Sequence, residues 1–179
     1  EFLKVAFELS EKYDTPVLFR TTTRISHSKS LVELGDRVAV DPITVFEKAT
    51  TKYTMLPSNA APRHVIVEQR LLDMAQMAET SPLNRIEMRD PAVGIIAAGA
   101  SYQYACDAFP QASFLKLGLT WPLPKGLIAE FRSKVERLYV VEELDPFLEE
   151  NIRLMVITVD GGKDLLSLLG EYDQGVVAR

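Results

Sequence analysis

The sequence predicts an α/β fold: three layers, α/β/α, built on a mainly parallel sheet and preceded by an α-then-β arm. Three observations carry this. Residues 93–152 read strand, turn, helix three times over, in apolar runs too short to be helices, each followed by a helical repeat. A helix-then-strand unit at 1–23 stands apart from that stretch. The connections between the three strand runs are short enough for right-handed crossovers, so the three strands are expected to be mutually parallel.

Within residues 1–12, Phe2, Val5, Ala6 and Leu9, followed by Tyr13, recur at helical spacing. Pro16 follows, and residues 17–22 are β-branched and aromatic, the composition of a strand. The chain starts in this pattern without Met or a capping lead-in, which suggests a piece of a longer protein. Residues 24–36 are polar and end in a Gly-Asp turn signal. Residues 36–63 hold Pro42, Pro57 and Pro62, with residues 38–40 and 53–56 as short extended pieces. Val67, Leu71, Met74, Ala75 and Ala78 predict a helix over 64–79, ended by Ser81-Pro82.

The compact part starts at Asp90. Strands are expected at 93–97, 113–117, 137–142 and 155–159, and helices at 101–109, 125–134 and 146–154. Asp145-Pro146 reads as an N-cap followed by proline at the first helical position. Gly161-Gly162 is a turn, 163–169 a short helix, and the tail from Gly170 runs to the end.

The chain has 179 residues, of which 47% are hydrophobic, enough to bury a core without staples. A net charge of −5, with Lys and Arg scattered singly, argues against nucleic acid. One cysteine excludes an intrachain disulfide, a Cys-ligated cluster or a Cys zinc site within one copy. It also makes a reducing, cytoplasmic setting the default. No run of about 18 apolar residues could span a membrane.

The most polar feature near a predicted strand end is residues 20–28. There Arg20 and Arg24 could grip a carboxylate or phosphate, Thr22 could hydrogen-bond, and His27 could move a proton. These four are the candidate substrate-facing or domain-interface residues; satisfying an exposed strand end is the simpler role. His27 and His64 have no Cys or paired His beside them, so no metal site is expected. Gly94 and Gly99 flank an apolar run without a dinucleotide or P-loop pattern. Glu142, Glu143 and Asp145 end a strand and favour the N-terminus of the next helix over acid–base chemistry. Cys106 reads as a small core residue.

Several strings carry a family resemblance: TPVLFRTTTRISHS (15–28), LPSNAAPRH (56–64), SPLNRIE (81–87), GASYQYACDAFPQASFLKLGLTWPLP (99–124) and LYVVEELDPFLEENI (138–152). In this order they resemble the α subunit of indolepyruvate:ferredoxin oxidoreductase, a thiamine-diphosphate-dependent 2-oxoacid enzyme. The resemblance implies that 1–34 close a pyrimidine-binding domain, 35–89 link, and 90–179 form a transketolase C-terminal-like domain. It implies a parent enzyme that oxidatively decarboxylates aryl pyruvates to acyl-CoA, with ferredoxin as electron acceptor, a β subunit, thiamine diphosphate, Mg and iron–sulfur clusters. The family's Gly-Asp-Gly motif and cysteine clusters are absent from these residues. No catalytic, cofactor-binding or metal-binding residue is therefore assigned, and the fragment is expected to be inactive. Rival readings are a free-standing α/β docking module and a small Rossmann-like nucleotide binder. The apolar residues 17–19, if left without a sheet, predict self-association.

Overall fold

A computed structural model describes the chain except residues 1, 38, 40–44 and 46. It divides into two compact units, Glu1–Arg70 and Leu71–Arg179.

In the first unit, α1 (Phe2–Tyr13) forms as its periodicity predicts. It ends on Asp14, whose φ of 49° is left-handed, with the Thr15 N–H donating to the Ser10 carbonyl at 3.2 Å. That 6→1 bond is a Schellman closure with aspartate where glycine is usual. The expected strand at 17–22 does not form, and those residues are irregular. A strand is stabilised by its ladder, and no strand of the sheet pairs with this segment. The polar stretch expected to be a loop instead holds a short helix, α2 (Thr23–His27), capped by the Thr22 side chain. Of the extended pieces expected, 38–40 lies largely outside the described residues, and Tyr53 closes a short helix, α3 (Thr50–Tyr53).

The helix expected from 64 begins seven residues earlier, as α4 (Pro57–Thr80). Pro57 sits at the first helical position, where its missing N–H costs nothing, and Leu56 O accepts from Asn59 and Ala60 at 2.8 Å. Pro62 lies inside the helix without ending it.

In the second unit, β2 (Asp90–Ala98), β3 (Ala112–Leu117) and β4 (Arg137–Val141) alternate with α5 (Gly99–Ala108), α6 (Lys125–Ser133) and α7 (Phe147–Leu154). With β1 (Arg85–Glu87) at one edge, the sheet order is β1-β3-β2-β4, and β2 is parallel to both β3 and β4. The edge strand β1 runs antiparallel to β3 and was not expected; three residues are too few to show an alternation.

Two cores lie on the two faces of the sheet, as period-two alternation dictates. Ile96, Leu115, Leu117, Leu138 and Val140 meet Ile128 and Phe131 of α6 and Leu148 and Ile152 of α7. Ile95, Ala97, Phe114 and Val141 meet Tyr102 and Ala105 of α5, and Val177 of α8 (Gln174–Val177). Cys106 packs partly buried against this second core. The three-layer expectation holds.

Two expectations fail near the C-terminus. No strand forms at 155–159. Met155 and Val156 close α7 with N–H bonds to Ile152 and Arg153, and Val156 turns the chain at φ 62°. What remains pairs with β4 at a bridge between Tyr139 and Gly161, with Asp160 bonded to Leu138 and Val159 buried in the core beside β4. The helix expected at 163–169 is a turn, with Leu165 and Leu166 both donating to Gly162 O. In the tail, Tyr172 is buried, and Asp173 caps α8 through Val176 N at 2.8 Å.

Candidate functional site

In open α/β sheets, ligands lie beyond the carboxyl ends of the strands where the strand order reverses. Here β2 is flanked by β3 on one side and β4 on the other, so that point lies between the ends of β2 and β4. Gly99 leaves β2 at φ 57°, a left-handed turn that needs glycine, and opens α5. β4 runs into Glu142 and then α7.

Glu142 is buried, and its two carboxylate oxygens accept the Leu148 and Glu149 N–H groups at 2.7 and 2.9 Å. It thus occupies the α7 N-terminus that Asp145 was expected to cap; Asp145 supplies only its backbone carbonyl, to Phe147 N. Burial pushes the Glu142 carboxyl up, against the lowering effect of those two N–H groups and of Lys163. Lys163 donates to the Glu142 carbonyl and to the Tyr172 hydroxyl at 2.6 Å, and burial pushes its ammonium down. Both shifts disfavour charge; the two N–H donors favour the Glu142 carboxylate but do not offset its burial.

The Tyr172 hydroxyl donates to Ser167 O, and its N–H to Glu143. Glu149 accepts from Lys163 N at 2.8 Å and from Arg153 at 3.0 Å. This network ties the tail across the end of the sheet. Its groups bond one another, so the arrangement positions backbone and has no nucleophile–base pair. Sequence reading found Glu142 and Glu143 but missed Lys163 and Tyr172, which lie in no periodic pattern.

At the edge of the same unit, Tyr102 donates to Glu87 at 2.7 Å, and Arg85 donates to the same carboxylate. Burial, then the Glu87 bond, pushes the Tyr102 phenol up to about 12. An apolar hollow of 290 Å³ lies at the opposite, amino ends of β2 and β3, between Asp90, Val93, Phe109 and Gln111.

The four residues singled out in the sequence lie in the first unit. Arg20 is exposed before the cap. Thr22 is committed to capping α2 through Ile25 N, at 3.4 Å, while Arg24 and His27 lie exposed in its last turn. The bonds within the segment join Thr21 to Ser26 and Ser28 to Ile25. No group of three or more His, Cys, Asp and Glu able to hold a metal occurs among the described residues. Among them, no helix is long and apolar enough to cross a membrane. An iron–sulfur cluster does not fit this chain, whose single cysteine is half-buried on α5.

No family profile matches the chain. Curated relatives do. The indolepyruvate oxidoreductase subunit IorA of Methanothermobacter marburgensis is 38% identical over 193 residues, covering 100% of this chain and 31% of the relative. Those of Pyrococcus horikoshii and Archaeoglobus fulgidus are 36% and 34% identical, covering 93% and 99% of this chain. A solved 2-oxoglutarate:ferredoxin oxidoreductase from Magnetococcus marinus, with 2-oxoglutarate, coenzyme A and succinyl-CoA bound, superposes with a TM-score of 0.52. It covers 70% of this chain and 23% of the other, and at 16% identity it speaks for the fold alone. The chain spans about a third of the length of its curated relatives. Over that third the likeness extends through both units, and the chain belongs to the indolepyruvate oxidoreductase IorA family.

Proposed function

We propose that this chain is a noncatalytic, sheet-bearing portion of an indolepyruvate:ferredoxin oxidoreductase α subunit. The observation that carries the reading is likeness to IorA subunits along 100% of the chain but only 31% of the relative. In this reading the whole protein oxidatively decarboxylates aryl pyruvates to acyl-CoA in the cytoplasm. It passes electrons to ferredoxin, with a β subunit, and holds thiamine diphosphate, Mg and iron–sulfur clusters in its other domains. Residues 1–34 close the pyrimidine-binding domain, 35–89 link, and 90–179 form the transketolase C-terminal-like domain. Arg20, Thr22, Arg24 and His27 face substrate or a neighbouring domain. The Glu142–Lys163–Tyr172 network, with its donors and acceptors mutually engaged, supports a scaffolding role for the second unit.

The test is ferredoxin reduction by indolepyruvate or phenylpyruvate with coenzyme A. It is run on the 179-residue chain and on the gene product containing it, paired with its β subunit. Turnover is expected of the second alone. Turnover by the chain itself would refute the noncatalytic reading, and a long product active only on aliphatic 2-oxoacids would refute the substrate class.

A further inference from the structure

We propose that Lys52, Arg63 and Arg70 form a binding site for a phosphoryl anion, with Asp14 as a resident carboxylate at its edge. The inference does not rest on the proposed function.

The three cations come from two helices of the first unit and converge on one residue. Lys52 of α3 donates to Asp14 Oδ1 at 2.6 Å. Arg63 and Arg70, two turns apart on α4, stand 3.9 and 3.7 Å from Asp14 Oδ2. Those two separations are ion pairs and not hydrogen bonds. Among the described residues, neither guanidinium has a hydrogen-bonded acceptor, although their side chains are only 23% and 15% exposed. Each carries five N–H donors in a fork suited to phosphate oxygens.

Charge points the same way. Asp14 is matched by Lys52, whose hydrogen bond holds its carboxyl below the ordinary value. Two guanidinium charges remain, the complement of a phosphoryl group carrying about −1.5 to −2. An open hollow of 470 Å³ opens onto Lys52, Arg63 and Asp14, with Ser10, Thr15 and Tyr53 in its lining; Arg70 stands behind Asp14, outside that lining. Glu11 also lines it and, among the described residues, has no ion pair; it weakens an anion's binding without filling the cluster.

Asp14 itself is the unusual element. It occupies a left-handed helix-terminating position usually taken by glycine, and strained non-glycine residues concentrate at functional sites. There its carboxylate enters the cation cluster and competes with an incoming anion.

The experiment is isothermal titration of inorganic pyrophosphate into the full 179-residue chain at low ionic strength, where screening is weak. One site per chain is expected. Arg63→Gln combined with Arg70→Gln should weaken binding by about tenfold or more, since it removes the charge-assisted bonds. Lys4→Gln, at an exposed position on α1, should leave it unchanged. Asp14→Asn decides between a ligand site and a purely structural ion-pair knot. Removing the competing carboxylate should tighten pyrophosphate binding several-fold, with far-UV circular dichroism confirming that the helices persist. Equal affinity of the wild-type chain and the double arginine variant overturns the proposal. So does an Asp14→Asn chain that binds no more tightly.

Discussion

The Asn84 side-chain oxygen accepts the Gly118 N–H at 3.0 Å, across 34 residues of sequence. It also accepts the Leu119 N–H at 2.9 Å, while Asn84 Nδ2 donates to Ala78 O. One buried amide thus joins the end of α4, the start of β1 and the exit from β3. Asn84→Ala should strand the Leu119 N–H and the Ala78 carbonyl, while the Gly118 N–H keeps the Leu83 carbonyl at 3.1 Å, costing about 2–3 kcal/mol in urea unfolding. Asn84→Asp keeps both acceptor functions and should cost less. Equal losses in the two variants would refute this account.

Gly94 lies where β2 passes Val135. A Cβ there would come within 2.6 Å of Val135 Cγ2 and 2.8 Å of Cγ1. Val135 is buried and cannot swing out, so Gly94→Ala should destabilise by about 1–3 kcal/mol through overpacking. Adding Val135→Ala removes the clashing methyls, and the double variant should lose less than the sum of the single ones. Strict additivity in thermal unfolding would sink the steric explanation.

Glu142 titrates with a definite sign. Burial raises its pKa above the ordinary 4.5, so the folded chain holds this proton more tightly than the unfolded chain does. Its contribution to stability is present below about pH 4.5 and is lost as pH rises through the raised folded value. Glu142→Gln lacks the titration. Stability measured for both chains across that window should fall more steeply with rising pH in the wild type. A wild-type chain that gains on the variant instead would contradict it.

The first unit leaves Phe7, Leu18 and Phe19 exposed, at 67%, 94% and 47%. No residue of α1, α2 or α3 is buried. Sedimentation of the chain should therefore depend on concentration, and Leu18→Ser with Phe19→Ser should abolish that dependence. A wild-type chain that is monomeric at all concentrations would rule this out.

Phe131 marks the opposite extreme, fully buried between α6 and the sheet. Phe131→Ala should cost about 3–5 kcal/mol, and Phe7→Ala, at its exposed position, much less. Comparable losses at the two positions would show that the cores are misassigned.

By itself the sequence determined the elements that repeat. Ile95, Ile96 and Ala97, then Phe114, Leu115 and Leu117, then Leu138, Val140 and Val141 are apolar runs bounded by turns, and each became a parallel strand. Local pattern suffices there because both faces of the strands are buried, so the signal is continuous. The likeness along 99–124 and 138–152 was legible for the same reason: those strings hold the strands and helix starts together. Tertiary structure alone decided the rest. Residues 17–22 have strand composition but no ladder, since composition does not supply a partner. Residues 155–159 are apolar too except for Thr158, but the turn at Val156 uses up the length a strand needs. Three residues made β1 because β3 offered an edge, and Glu142 took the cap expected of Asp145 because the strand end aims it at α7. Lys163, Tyr172, Asn84 and the cations around Asp14 carry no local signal. Their roles come from atoms brought together across tens of residues, a distance over which no sequence period extends.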